Sequence, residues 1–279
     1  MKQAPRRRFC TIGRPLAFAH RGGAAAWPEN TVLAFRGAID AGCDVVETDL
    51  RLTRDGALVA FHDERVDRTT NGRGPIAQLT LRELRQLDAA YWFSTDGRSF
   101  PFRGQGVCVP TLEDACALSS DLRWNVELKG RDPRLVDVVW KAIERLGLHH
   151  RILVAAHFDP LVRRFRRLCA RCVATAAGSR EVTRFWVTSR LGFSPWLQPP
   201  FEALQVPVRY RGLNVADARL LRVAHARGIA VHVWTVNEES EMEALLRLGV
   251  DGVMSDHPGR LMRALHAARC SAADQSPRA

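Results

Sequence analysis

The sequence contains no run of about twenty apolar residues, so no segment is long enough to cross a bilayer as a helix. It also lacks a G-x-G-x-x-G turn that opens a helix, which argues against a doubly wound dinucleotide-binding sheet. Lysine is scarce, since only 3 of the 41 basic residues are lysine. The formal net charge of +11 is therefore carried by arginine. This charge favours anionic partners such as phosphorylated metabolites, acidic lipid headgroups or nucleic acid. The alternative is that the basic residues only form a solvated surface.

The cysteines and the start of the chain both favour a reducing compartment. Seven cysteines are an odd number scattered over a long chain, which is not the pattern of a disulfide framework. Cys169 and Cys172 form one C-x-x-C pair, but a structural zinc site needs four ligands, so we expect burial between a helix and a strand instead. The basic start precedes an apolar stretch that Arg14 and Pro15 interrupt, so no targeting signal is expected and we predict a cytoplasmic location.

Short apolar runs alternate with amphipathic segments of roughly 10–15 residues, the pattern of a parallel sheet with crossover helices. The nine strand candidates are Leu16–His20, Asp44–Leu50, Ala57–His62, Arg123–Lys129, Ile152–Ala156, Cys172–Ala176, Ala203–Val206, Ile229–Val236 and Gly252–Ser255. A closed (β/α)₈ barrel uses eight strands, so one candidate is surplus, and Ala203–Val206 is the weakest of them.

One large domain is expected, with a tail at each end. We predict a basic N-terminal tail over residues 1–14, a barrel domain over 15–262 and a C-terminal tail over 263–279. The stretch from about 64 to 110 is polar and Gly-rich, so we interpret it as an insertion at the strand ends. Candidate site residues follow the carboxyl ends of several strands, which favours a barrel over an open sheet with one switch point.

The stretch from Leu16 to Asp63 carries most of the chemistry. His20 and His62 each end a short apolar run, and the run between them carries Glu47 and Asp49. Side chains at i and i+2 of a strand share a face, so these two carboxylates point the same way as ligands for one cation. An apolar strand has no structural use for two adjacent unpaired carboxylates, because their burial is costly. With Arg21, these residues suit phosphoryl chemistry.

These segments resemble the glycerophosphodiester phosphodiesterase family. The matching motifs, in the family's order, are HRGG at 20–23, PENT at 28–31, ETD at 47–49, TRDG at 53–56, FHD at 61–63, ELK at 127–129, WTVN at 234–237 and DGVMSDHPG at 251–259. The resemblance implies a (β/α)₈ TIM barrel with an insertion after the third strand. It also implies hydrolysis of glycerophosphodiesters to glycerol 3-phosphate and an alcohol, with one divalent metal ion, Mg²⁺ or Ca²⁺.

The resemblance also assigns roles to individual residues. His20 and His62 correspond to the catalytic acid/base pair, which suits a side chain that titrates near neutral pH. The metal ligands correspond to the three carboxylates Glu47, Asp49 and Glu127, which are hard oxygen donors suited to such a cation.

The basic and aromatic residues of the motifs face the substrate in this interpretation. Arg21 and Lys129 correspond to the cations that contact the phosphate, and Trp234 forms the pocket wall or belongs to the core. The family's usual Ser-Phe after the fifth strand is His157-Phe158 here, which leaves substrate choice open. Which histidine is the base, and whether water or a substrate hydroxyl attacks, are also left open.

Other functions and partners remain as alternatives. Lysophospholipase D-type hydrolysis of single-chain lysophospholipids is the second enzymatic hypothesis. A nucleic-acid-binding protein is supported only by the net charge, since no nucleic-acid motif is present, so no nucleic-acid partner is expected. The segment Phe185–Tyr210 interleaves aromatic residues with arginines. We interpret it as helix-to-barrel packing, with weak contact to an anionic membrane surface as the alternative.

Overall fold

The computed structural model describes residues 7–10, 13–191 and 199–274. Its strands are β1 (Leu16–Ala19), β2 (Val45–Leu52), β3 (Leu58–Ala60), β4 (Arg123–Leu128), β5 (Ile152–Ala155), β6 (Ala174–Thr175), β7 (Ala203–Pro207), β8 (Arg209–Tyr210), β9 (Leu213–Asn214), β10 (Ala230–Trp234) and β11 (Gly252–Ser255). Its α-helices are α1 (Arg7–Cys10), α2 (Val32–Asp40), α3 (Leu81–Leu84), α4 (Leu112–Cys116), α5 (Arg134–Leu146), α6 (Asp159–Leu168), α7 (Ser179–Leu191), α8 (Ala218–His225), α9 (Glu239–Leu248) and α10 (Pro258–Asp274).

Eight of these strands form a parallel barrel, as the sequence predicts. Around the barrel their order is β1, β2, β4, β5, β6, β7, β10 and β11, and β11 pairs with β1. Between β6 and β7 the barrel closes through a single parallel bridge, from Ala176 to Ala203. No helix of the described ranges combines the length and the apolar character that a bilayer crossing needs.

The choice of the surplus strand was wrong. The segment predicted as Ala203–Val206 is the barrel strand β7, which pairs with β10 over five residues and bridges to Ala176. Of the nine predicted strands, the one outside the barrel is β3, which runs antiparallel to β2. The physical reason is the tight turn at Gly56, where φ is +80°, because a chain that reverses directly can pair only as a hairpin.

The insertion begins after this third strand, as predicted, and has a small core of its own. Its buried residues Val66, Ile76, Leu84, Ala89 and Val109 form a cluster with Val59 of β3 and with Phe61. Thr80 opens α3 with a capping box in which Glu83 closes back onto the Thr80 backbone. The helix α3 is one turn long and ends at Leu84.

Side chains alternate along the barrel strands between two environments. One face of each strand packs on the helices, as Ala17 and Ala19 of β1 do. The other face points into the barrel, where Leu16 and Phe18 meet residues from opposite strands. Each barrel strand thus separates the core beneath the helices from the barrel interior.

The packed structure extends beyond residues 15–262 on both sides. Within the expected N-terminal tail, Phe9 and Cys10 of α1 are buried in the same cluster as Leu16 and Phe18, at the amino-terminal end of the barrel. At the other end, α10 continues to residue 274 and buries Ala264 and Leu265.

Candidate active site

A cleft of about 760 Å³ opens at the carboxyl ends of the barrel strands. Seven of the eight predicted site residues line it: His20, Arg21, Glu47, His62, Glu127, Lys129 and Trp234. The eighth, Asp49, lies almost fully buried beneath them. Residues far apart in the sequence therefore meet because parallel strands bring their carboxyl ends to one edge.

Three carboxylates form the floor of this cleft. Asp49 of β2 and Glu127 of β4 are register partners on neighbouring strands, and Glu47 lies two residues before Asp49 on the same face. One oxygen from each residue lies within 4.8 Å of the others. This set of hard oxygen donors fits a divalent cation such as Mg²⁺ or Ca²⁺.

The cluster concentrates negative charge in a buried place. Burial and the neighbouring charge of Asp49 raise the pKa of Glu47 to about 7. Burial works against ionisation of Asp49 too, yet the cationic Lys129 and Arg21 hold the pKa of this carboxyl below its usual value. The Lys129 Nζ lies 3.1 Å from Asp49 Oδ1 and 2.8 Å from Glu127 Oε2. Of the three carboxylates, Glu47 has no lysine or arginine at salt-bridge distance in the described ranges. Its one partner of this kind is His20, at 4.0 Å.

The first histidine is held by an aspartate from the end of β11. His20 Nδ1 lies 2.6 Å from Asp256 Oδ1, and Asp256 Oδ2 accepts a hydrogen bond of 2.8 Å from Asn237 Nδ2. Burial opposes protonation of His20, but Asp256 and Glu47 raise its pKa above the ordinary value. The His20 Nε2 remains on the side of the carboxylate cluster, 4.0 Å from Glu47 Oε2.

The second histidine is held in the same way by its sequence neighbour. His62 Nδ1 lies 2.6 Å from Asp63 Oδ1, and Asp63 Oδ2 accepts a hydrogen bond of 2.6 Å from Arg68 Nε. Burial opposes ionisation of Asp63, but the bonds from Arg68 and His62 lower its pKa to about 2. Arg68 also binds Glu29, which binds Arg21 at 2.9 Å. A chain of ion pairs thus connects the two sides of the cleft.

The loop after β1 adopts an unusual backbone to reach the carboxylates. Arg21 and Asn30 both have positive φ angles, +51° and +56°, which non-glycine residues adopt only when held there. The Arg21 amide donates to Glu47 Oε2 at 2.9 Å. Asn30 Nδ2 donates to Asp49 Oδ2 at 2.9 Å, while its Oδ1 accepts from Thr48. Thr31 caps α2, since its side chain accepts a hydrogen bond from the Ala34 amide.

Several site residues were missed by the sequence interpretation. Asp63 and Asp256 each orient a histidine, Asn237 orients Asp256, and Asn30 orients Asp49. All four lie inside motifs that the sequence singles out. Their roles had no sequence signal because each depends on a partner in another strand or loop, except Asp63, whose adjacency to His62 was available.

The aromatic segment after α6 has mixed environments. Phe185 and Phe201 are buried, as expected for packing, and the Arg190 guanidinium lies 3.9 Å from the Trp186 ring centroid. Phe193 and Trp196 lie outside the described residues. Tyr210 is 58% exposed. The departure at His157 places an exposed imidazole on the cleft rim, with Nδ1 3.0 Å from Ser179 Oγ.

The C-x-x-C pair lies away from the cleft. Cys169 is buried at the end of α6 and Cys172 is half-buried in the turn that leads to β6. This is the helix–strand junction that the sequence predicts for the pair.

Comparison with known proteins gives one consistent result. A family model described as "Glycerophosphoryl diester phosphodiesterase family" matches residues 20–260. A "Probable glycerophosphodiester phosphodiesterase 2" from Mycobacterium tuberculosis is 32% identical over 258 residues, covering 91% of each chain. A "Glycerophosphodiester phosphodiesterase" from Caldanaerobacter subterraneus is 31% identical and covers 89% of this chain and 97% of its own.

Solved structures agree on the fold. The glycerophosphoryl diester phosphodiesterase domain of a Mycobacterium tuberculosis protein superposes with a TM-score of 0.80 at 22% identity, covering 90% of this chain and 98% of its own. An Oleispira antarctica phosphodiesterase, solved in complex with the product sn-glycerol-3-phosphate, superposes with a TM-score of 0.71 at 26% identity. It covers 91% of this chain and 97% of its own.

Proposed function

This chain belongs to the glycerophosphoryl diester phosphodiesterase family, and we propose that it hydrolyses glycerophosphodiesters to glycerol 3-phosphate and an alcohol with the help of one divalent cation, Mg²⁺ or Ca²⁺. The observation that carries this proposal is one cleft that combines a three-carboxylate cluster with two aspartate-bound histidines. The product bound to the Oleispira antarctica relative supports glycerol 3-phosphate as the product here.

The metal ligands in this proposal are Glu47, Asp49 and Glu127. Their oxygens lie within 4.8 Å of one another, and the elevated pKa of Glu47 reflects negative charge that a divalent cation would neutralise. When bound, the cation supplies charge neutralisation at the phosphate, an effect worth several kcal/mol. Asn30 keeps Asp49 oriented, and the Arg21 amide keeps Glu47 oriented, so two ligands are fixed before the cation binds.

The phosphate contacts in this proposal come from Arg21 and Lys129. A phosphodiester is an anion, and both cations line the cleft next to the carboxylate cluster. The planar fork of Arg21 matches two phosphate oxygens, while the Lys129 ammonium acts as a compact charge. Trp234, 42% exposed, forms a wall that limits how the substrate enters.

Proton transfer in this proposal is divided between the two histidines. Each Nδ1 faces an aspartate, which leaves each Nε2 free to exchange a proton with the substrate. One histidine accepts the proton of the attacking hydroxyl as the new P–O bond forms. The other donates a proton to the alcohol oxygen as the old P–O bond breaks. The same two transfers serve attack by water or by the neighbouring glycerol hydroxyl, which would first give a cyclic phosphate.

The test is release of glycerol 3-phosphate from glycerophosphocholine and glycerophosphoethanolamine, with Mg²⁺, Ca²⁺ or EDTA. We expect metal-dependent release that falls by about 10²- to 10⁴-fold in both His20→Ala and His62→Ala. His150→Ala is the matched control, since His150 is exposed and outside the cleft. Lysophosphatidylcholine serves as a third substrate for the lysophospholipase D-type alternative.

Metal binding is measured separately by calorimetric titration of wild type and Glu47→Ala. Bound metal without hydrolysis of either glycerophosphodiester would contradict the proposed substrate, and choline release from the lysolipid would then favour the alternative. Full activity in EDTA would contradict the proposed metal dependence.

A further inference from the structure

One wall of the catalytic cleft carries two arginines that the proposed chemistry does not use. Arg51, at the end of β2, and Arg131, between β4 and α5, both line this cleft. Both also line a second cleft of about 430 Å³, which lies between that loop and the insertion. Glu64, Lys129 and Gly130 are likewise shared between the two linings, so the clefts adjoin along this wall.

Neither arginine has its charge neutralised by an ion pair within the described ranges. The Arg51 Nε donates to the His62 carbonyl oxygen at 2.9 Å, and the Arg131 guanidinium lies 5.0 Å from the Phe158 ring centroid. By contrast, the other two cations of the cleft are committed to carboxylates: Arg21 to Glu29, and Lys129 to Glu127 and Asp49. Arg51 and Arg131 are held in place by neutral groups instead.

The loop geometry brings these two charges together. Gly130 has a φ of +94°, and a Cβ built on it would lie 3.7 Å from Arg51 Nη1. The backbone between Lys129 and Arg131 therefore runs directly past the Arg51 guanidinium. Four carboxylates act on Arg51: Glu64, which is exposed, and Asp49, Asp63 and Glu127, which already bind other cations. Asp132, in the second cleft, binds Arg134. Two guanidiniums facing one uncommitted carboxylate leave a net positive site.

We propose that Arg51 and Arg131 form an anion subsite for the alcohol half of the substrate. The enzyme then prefers glycerophosphodiesters whose alcohol carries a second anionic group, either a phosphomonoester or a carboxylate. This inference rests on the proposed function. The glycerol half of the substrate carries only hydroxyl groups beyond the phosphate, so an additional charge can come only from the alcohol. Guanidinium groups suit both anions because their planar fork binds two oxygens at once.

Two matched pairs of substrates test the preference. Glycerophosphoserine differs from glycerophosphoethanolamine by one carboxylate, and glycerophosphoinositol 4-phosphate differs from glycerophosphoinositol by one phosphomonoester. For wild type we expect kcat/KM to be at least about tenfold higher for the more anionic member of one or both pairs, because hydrogen bonds between ionised groups are stronger than neutral ones. The pair that responds identifies which anion the subsite takes.

Arg131→Gln is the decisive variant, because Arg131 contacts neither histidine nor any carboxylate of the metal cluster. We expect it to reduce the kcat/KM ratio within the responding pair to near unity, and Arg131→Lys to restore part of it. Arg134→Gln is the matched control, since Arg134 begins α5 three residues after Arg131, its side chain is 81% exposed and it does not line either cleft. Arg51 is left unchanged because it binds the backbone of His62.

Calorimetric binding of the same four compounds to the metal-loaded protein keeps the two hypotheses separate. Two outcomes overturn the subsite and leave the proposed function intact. One is hydrolysis of all four compounds without any preference. The other is a kcat/KM ratio within the pair that is the same in Arg131→Gln as in Arg134→Gln. Absence of hydrolysis overturns the proposed function. In that case, Arg131-dependent binding of the more anionic member still supports the subsite, and equal binding overturns it.

Discussion

The two halves of the barrel interior differ completely although the same strands line both. The lower half is an apolar cluster in which Phe9 of α1 meets Leu16, Phe18 and Val45. The upper half holds the carboxylates, cations and histidines of the cleft. Along β1 the inward residues run from Leu16 through Phe18 to His20. The apolar core and the cleft are therefore separated by two residues, about 7 Å along a strand.

The comparison shows how stability and activity are separated in this fold. Most charges in the upper half are satisfied by one another, as in the chain from Glu29 through Arg68 to Asp63. Arg51 and Arg131, which have no ion pair in the described ranges, differ from the rest. The lower half excludes charge, and we expect its residues to determine folding without affecting chemistry. The exception is His232, which is fully buried among apolar residues in the barrel interior.

The largest expected effect comes from removing one carboxylate of the upper half. Glu47→Gln should reduce kcat/KM by roughly 10³-fold or more, since the proposed cation would contribute several kcal/mol when bound. It should leave the free energy of unfolding in EDTA equal or higher, because a buried carboxylate with a raised pKa is removed. Steady-state kinetics and urea unfolding provide the measurements. A strongly destabilised variant would contradict the separation of roles.

Truncation of an apolar side chain in the lower half should, by contrast, affect folding alone. Phe9→Ala should lower the free energy of unfolding by about 3–5 kcal/mol, because Phe9 is 1% exposed beneath the barrel. The kcat of the folded protein should stay within a few-fold of wild type. Trp92→Ala, at a 51% exposed aromatic of the insertion, is the control and should change stability little. An unaltered Phe9→Ala stability would mean that α1 does not contribute to the core.

His232 should make the lower half sensitive to acid. Burial lowers its pKa to about 4, and neither ring nitrogen has a hydrogen-bond partner in the described ranges. In the unfolded chain, His232 then binds a proton below about pH 6.5, whereas in the folded chain it binds one only near pH 4. The lost stability should grow as the pH falls from 6.5 to 4, reach about 3 kcal/mol and then level off.

Urea unfolding of wild type and His232→Leu between pH 7 and pH 4 measures this effect. The free energy of unfolding of the variant should fall less steeply over that range, because it lacks the titrating group. Parallel curves for the two proteins would exclude His232 as the source of acid sensitivity.

The aspartates that orient the two histidines should have intermediate effects. Asp256→Asn and Asp63→Asn should each lower kcat by about 10- to 100-fold, part of the 10²- to 10⁴-fold that acid–base catalysis supplies. Asp256→Glu should recover part of the loss, which a purely structural residue would not. The pH profile of kcat should shift to lower pH in Asp256→Asn, because Asp256 raises the pKa of His20 from 2.6 Å away. An unshifted profile would contradict the positioning role of Asp256.

The smallest effect concerns the outer rim of the catalytic end. The hairpin of β8 and β9 follows β7 there and exposes Tyr210 and Leu213 beside Arg209. We expect the double change Tyr210→Ser and Leu213→Ser to weaken sedimentation with anionic vesicles several-fold, since apolar and basic side chains together suit acidic headgroups. Leu168→Ser, at the carboxyl end of α6 on the opposite side, is the control. Equal sedimentation of both variants and wild type would exclude contact through the hairpin.

The sequence specified much of this molecule through local patterns. Periodicity and turn residues located nearly every strand and helix, because alternating burial and capping act within a few residues of each other. The spacing of Glu47 and Asp49 placed both carboxylates on one face for the same reason. Motif resemblance added Glu127 and Lys129, which local spacing could not connect to Glu47.

Tertiary structure decided that β7 completes the barrel and which partners each site residue has. The direct reversal at Gly56 marks β3 as a hairpin strand, but no local feature of β7 shows that it pairs with β10. The hydrogen bond between His20 and Asp256 joins residues 236 positions apart, and Arg51 of β2 shares a cleft wall with Arg131 of a later loop. Such contacts arise from closure of the barrel, which no short segment encodes, because it depends on the packing of all eight strands at once.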